Sequence, residues 1–87
     1  MGHKFIFTNK AKNDLKRLGD NVVIRISKKL AWIEEQQYPL RSGLLLTDSH
    51  IGDIRFRVGV YRVIADIDHD KKYILVVHVG HRKEEYR

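Results

Sequence analysis

The sequence predicts an α+β fold: a two-layer β-α-α-β-β-β sandwich, with two N-terminal helices on one face of a mainly antiparallel four-stranded sheet. Three observations lead there. Apolar residues recur at helical spacing twice in the first half, the two runs separated at Gly19-Asp20. The second half changes to strand-like alternation, broken by the turn signals Val58-Gly59 and "DHDKK". The only proline, Pro39, stands where one pattern gives way to the other.

Each element follows from local chemistry. "HKFIFT" (3–8) has strand character and ends at Thr8-Asn9, either of which caps a helix. Ala11, Leu15 and Leu18 line one helical face until Gly19 stops it. Asp20 then caps a longer helix, with Val22, Val23, Ile26, Leu30 and Ile33 in one stripe through about residue 37. Residues 38–50 read as a leucine-rich connecting loop. Strands are expected at about 51–57, 60–68 and 73–79, a meander whose last member, "YILVVHV", is apolar on both faces like a central strand. The first strand is expected at the other edge of the sheet, though the pattern does not fix its place. "HRKEEYR" is a tail or a single turn.

Composition bounds the function. Eighty-seven residues make one domain, 1–87, with no internal repeat. No apolar run reaches the length of a membrane span, and "MGHKFIF" is too short and polar for a signal peptide, so a cytoplasmic protein without a membrane partner is expected. Cysteine is absent, which excludes disulfides and thiolate metal sites. His3, His50, His69, His78 and His81 show no metal-ligand spacing, so neither metal nor cofactor is expected. Seventeen Lys+Arg against eleven Asp+Glu give a net charge of +6, the footprint of a polyanion partner.

The segment "DIRFRVGVYRV" (53–63) concentrates that charge. Folded about Val58-Gly59, it places Phe56 opposite Tyr61 and Ile54 opposite Val63 on the helix-covered face. Arg55 then lies across from Arg62 on the open face, with Arg57 nearer the turn. Opposed like charges destabilise a sheet. Exposed arginines on a solvated face are the plain reading; the sharper one is a clamp whose repulsion becomes bidentate hydrogen bonding around a phosphate. The last strand runs back so that Gly80, His81 and Arg82 end near Arg62, with Tyr86 four residues on. Guanidiniums stabilise charge developing on a phosphate, histidine suits proton transfer at cellular pH, and a phenol flanked by cations has its pKa lowered. Such a set suits phosphodiester cleavage.

The block "DIRFRVGVYRVIADIDHDKKYILVVHVGHRKEEYR", with "AKNDLKRL" before it, resembles the RelE/ParE superfamily of toxin–antitoxin toxins over essentially the whole chain. The resemblance implies the family's β-α-α-β-β-β fold and a cognate antitoxin. For the RelE branch it implies an endoribonuclease that cuts mRNA in the ribosomal A site. The 2′-hydroxyl attacks the adjacent phosphorus, leaving a 2′,3′-cyclic phosphate and a 5′-hydroxyl. Arg62 and Arg82 match the family's phosphate-stabilising arginines, Tyr86 its C-terminal tyrosine, and Arg55 and His81 positions that are often basic. Asp53 stands where RelE has a lysine considered a candidate base, which leaves His81, Tyr86 and Asp53 as candidates for that role. The rivals are a ParE-like inhibitor of DNA gyrase and a non-enzymatic RNA-binding module.

Lys28 and Lys29 lie on a helical face that is either solvated or tracks RNA phosphate. Trp32 lies off the apolar stripe, either covered by the Leu44-Leu45-Leu46 loop or serving as an anchor for the antitoxin.

Overall fold

The computed structural model describes residues 2–48 and 50–85. The elements are β1 (Lys4–Phe7), α1 (Asn9–Leu18), α2 (Asp20–Glu34), a 3₁₀ turn (Pro39–Ser42), β2 (Leu44–Leu45), β3 (Ile54–Val58), β4 (Tyr61–Asp68), β5 (Tyr73–His81) and one helical turn, α3 (Arg82–Glu85). The sheet order is β1-β5-β4-β3-β2, with β1 parallel to β5 and the other pairs antiparallel. The expected layers and element order are present, but the sheet has five strands rather than four. The extra one, β2, is two residues of the leucine-rich loop, paired as Leu44↔Arg55 and Leu45↔Ile54. Gly43 lets that segment press against β3, since a Cβ there would lie 2.8 Å from the Ile54 side chain.

The helix ends follow local chemistry except at Asp20, which is the first residue of α2 rather than its cap: Gly19 takes the cap position and no side chain bonds there. Thr8 Oγ1 accepts from the Ala11 N–H at 3.1 Å and caps α1. Gly19 (φ 96°) turns the chain between the helices. Helix α2 stops at Glu34, three residues short of the expected end. The Glu35 and Gln36 amides donate to the carbonyls of Trp32 and Ile33, a tighter 3₁₀ pattern that unwinds the helix ahead of Pro39.

Ile26, Leu30 and Ile33 of α2 bury their stripe against Ile54, Phe56, Val63, Ala65, Ile74, Val76 and Val79. Phe5 meets Phe56 edge-to-face at 5.3 Å. Two carboxylates satisfy strand amides at the β1 side of the sheet. Glu34 Oε2 accepts from the Phe5 N–H at 2.8 Å. Pairing of β1 with β5 ends at Phe7↔Val76, and Asp14 of α1 then takes the Val79 N–H at 3.1 Å.

Candidate functional site: a cationic hairpin tip

The β3–β4 hairpin turns on Gly59-Val60, not on Val58-Gly59. Gly59 has φ +60°, the sign that the first central residue of a II′ turn requires and that β-branched Val58 resists. The register is therefore Val58↔Tyr61, Arg57↔Arg62, Phe56↔Val63 and Arg55↔Ile64. The arginine directly across from Arg62 is Arg57, not Arg55. The shift leaves the faces as expected, with Ile54, Phe56 and Val63 in the core.

The two opposed arginines differ in burial. Arg57 is exposed, whereas Arg62 is only 5% exposed, a correction to the expectation of three arginines standing in solvent. Arg62 folds back under the tip, its Nη1 donating to the Gly59 and Tyr61 carbonyls at 3.4 and 3.3 Å. A cation held in low dielectric projects a stronger field than a solvated one.

Strand β5 brings the end of the chain to the same place. Gly80 pairs with Arg62 and His81 with Tyr61, and the Arg82 N–H donates to the Val60 carbonyl at 2.7 Å. Arg82 is exposed at the start of α3. The His81 ring meets Tyr61 edge-on, centroids 5.7 Å apart, and its Nδ1 accepts the Lys83 amide N–H at 3.1 Å. Nδ1 therefore carries no proton in this arrangement, and Nε2 holds it. Strand alternation sends Tyr61 and His81 to the opposite face from Arg57 and Arg62, so the imidazole shares the end of the sheet with the arginines but not their face.

A fourth arginine joins from α2. The Arg25 guanidinium lies against Gly59, its Nη2 2.8 Å from where a Cβ would stand. Arg25, Arg57, Arg62 and Arg82 thus all border the turn formed by residues 58–61.

The remaining expected residues divide. Arg55 is half-buried further down the sheet, between Leu44 and Ile64. Asp53 lies at the far end of β3, about 13 Å of strand from Arg57 at roughly 3.3 Å per residue. Its Oδ2 accepts the Ile67 N–H at 2.8 Å, so it holds β4 and is removed from the candidate bases at the tip. Lys28 is exposed, and Lys29 Nζ sits 4.5 Å from the centroid of Trp32. Trp32 keeps 49% of its surface exposed, while Leu44 and Leu45 are committed to β2 at the sheet edge. Tyr86 lies outside the described residues.

Asp14 was missed altogether. It is 3% exposed and accepts from Lys10 Nζ at 2.8 Å, Arg17 Nη2 at 2.7 Å and the Val79 amide. His78 Nδ1 closes the cluster, 2.8 Å from Lys10 Nζ and 3.1 Å from Asp14 Oδ2. Burial, the largest single influence on Asp14, would raise its pKa, but hydrogen bonds from Lys10, Val79 and Arg17 outweigh it and hold the carboxyl below its ordinary value. The available signal was position: Asp14 falls on the buried side of α1, among Ala11, Leu15 and Leu18.

Residues 5–86 match the family model described as the ParE toxin of the type II toxin–antitoxin system parDE. The chain belongs to the RelE/ParE superfamily of type II toxin–antitoxin toxins. It is 30% identical over 81 residues to Toxin RelG of Mycobacterium tuberculosis, covering 93% of this chain and 92% of that one, which sets it on the RelE-like branch. Its fold is similar to a chain in the crystal structure of the toxin–antitoxin complex RelBE2 from the same organism. The TM-score is 0.80 at 25% identity, over 94% of this chain and 100% of the other.

Proposed function

We propose that this toxin, a single RelE-like domain, is an endoribonuclease that cleaves mRNA in the ribosomal A site and so stops translation in the cytoplasm. The observation that carries the reading is the convergence of Arg57, Arg62 and Arg82 on one hairpin tip with His81 beside them. In the proposed reaction the 2′-oxygen loses its proton, the O2′–P bond forms, and the P–O5′ bond breaks. Exposed Arg57 and Arg82 meet the phosphate, and buried Arg62 supplies a fixed charge behind it, stabilising the phosphorane where charge accumulates. His81 and Tyr86 are the residues proposed to carry the two protons, one taking the 2′-hydroxyl proton and the other, in its protonated form, giving one to the departing 5′-oxygen. The products are a 2′,3′-cyclic phosphate and a 5′-hydroxyl, with no bound cofactor needed to balance the step.

A cognate antitoxin is the second proposed partner, since the similar fold in the RelBE2 structure is part of a toxin–antitoxin complex. One observation favours the rival reading, gyrase inhibition: the matching family model is that of ParE. Primer extension on mRNA in translating ribosomes tests the choice. Site-specific breaks support the nuclease; intact message together with blocked DNA supercoiling overturns it.

A further inference from the structure

The tip does not end at β3 and β4, because Arg25 ties it to α2. From Arg25 the exposed side of α2 continues through Lys28 to Trp32, positions i, i+3 and i+7 of one helical face. At 1.5 Å per residue the interval from Arg25 to Trp32 is about 10 Å. That equals about three stacked nucleotides at 3.4 Å each. The stripe is wholly cationic and aromatic. Arg25 and Lys28 are exposed, and the Lys29 ammonium lies over the indole at 4.5 Å. Trp32 has 49% of its surface in water, unusual for a large aromatic side chain. An aromatic platform spaced along a positive groove is how proteins hold single-stranded nucleic acid without reading its sequence.

We propose that Arg25, Lys28 and Trp32 form a track for single-stranded RNA leading away from the cationic tip. Arg25 holds a phosphate next to the one at Arg57 and Arg82, and Trp32 stacks a base about three nucleotides along. The proposal deepens the nuclease reading and rests on it for the identity of the ligand. The charge of the stripe fits a polyanion, and its continuity with the tip, through the Arg25 guanidinium at Gly59, makes the RNA strand held at the tip the occupant proposed. The contact at Gly59 makes Arg25 part of the site rather than one more solvated charge. The glycine forms the turn through its φ of +60°, and the Arg25 Nη2 lies 2.8 Å from where a Cβ would stand.

Trp32 is the only tryptophan in the chain, so its fluorescence reports the track without a label. Purified full-length toxin is titrated with a 2′-O-methyl oligonucleotide, which cannot be cleaved. Quenching that saturates is expected, with affinity falling steeply as salt rises. Arg25→Gln should lower the slope of log affinity against log salt by about 0.7, the value of one single-strand phosphate contact. Trp32→Ala, followed by anisotropy of labelled oligonucleotide, should weaken binding about tenfold, as loss of a stacked base does. Circular dichroism confirms that the variants fold.

An absent quench, an unchanged salt slope in Arg25→Gln, or equal quenching by inorganic polyphosphate would overturn the track. So would an acidic helical peptide that displaces RNA and depends on exposed Ile24, because the face would then belong to a protein partner. Cleavage on ribosomes is measured in parallel. Cleavage without quenching removes the track and leaves the nuclease; quenching without cleavage removes the nuclease and leaves the track.

Discussion

Replacing Asp14 is the substitution with the clearest structural magnitude. Its carboxylate joins α1 to β5 two residues before His81, so its loss affects both stability and the placement of the site. In Asp14→Ala the buried Val79 N–H is left without its acceptor, at a cost of about 1–3 kcal/mol. Lys10 and Arg17 are 62% and 71% exposed, so their ion pairs are discounted for solvent screening. They add roughly 0.3–0.5 kcal/mol each. The sum is about 2–4 kcal/mol, a drop in Tm on the order of 15 °C for a domain of this size. Asp14→Asn retains an oxygen for Val79 and should lose about half as much. Urea denaturation followed by circular dichroism measures both. The pH dependence gives an independent check. Because the folded-state pKa is depressed, the Asp14 contribution is complete above the unfolded carboxylate value of about 3.9 and disappears as pH falls through the lower folded value. Wild-type stability should thus fall more steeply than that of Asp14→Asn below about pH 4. A loss under about 0.5 kcal/mol for Asp14→Ala, the level of an ordinary surface substitution, would refute the assignment.

Other outcomes follow from the tip. Sulfate should raise Tm more than chloride at equal ionic strength, and Arg57→Gln should remove that increment while Arg55→Gln keeps most of it; equal losses would return the pair to the Arg55–Arg62 register. Gly59→Ala should destabilise by about 1 kcal/mol, from its φ of +60°, seen as a lower urea midpoint. His81→Ala should lower the cleavage rate on ribosomes by about 10²–10⁴, the contribution of a positioned acid or base, and a folded variant that cleaves at the wild-type rate would remove His81 from the site.

Much of the fold was legible, because caps and periodicity act locally. Thr8, Gly19 and the Ile26-Leu30-Ile33 stripe behave as their chemistry dictates. The hairpin register was not, because Val58-Gly59 and Gly59-Val60 are both two-residue loops containing glycine. Only the turn's demand for positive φ at its first central position separates them. β2 was hidden because two leucines in a loop carry no alternation to detect. At the site, the residue types of the tip were readable from charge and from the meander that returns Arg82 to Val60. Burial of Arg62 and the approach of Arg25 depend on contacts between elements far apart in the chain, which no local pattern encodes. Asp14 shows the same limit. A carboxylate on a buried helical face signals a partner, but only the docked β5 supplies one.

The central claim is that the hairpin-tip arginines act on RNA in the ribosome. Primer extension on translating ribosomes, comparing wild type with Arg62→Ala and Arg82→Ala, tests it most directly. Discrete breaks ending in 2′,3′-cyclic phosphate are expected with the wild type, and a rate lower by about 10²–10³ for either variant, as when one electrostatic donor is removed. Ribosome binding should weaken far less, the pattern of an interaction made chiefly in the transition state. Intact mRNA with the wild type, or full cleavage by folded Arg82→Ala, would contradict it.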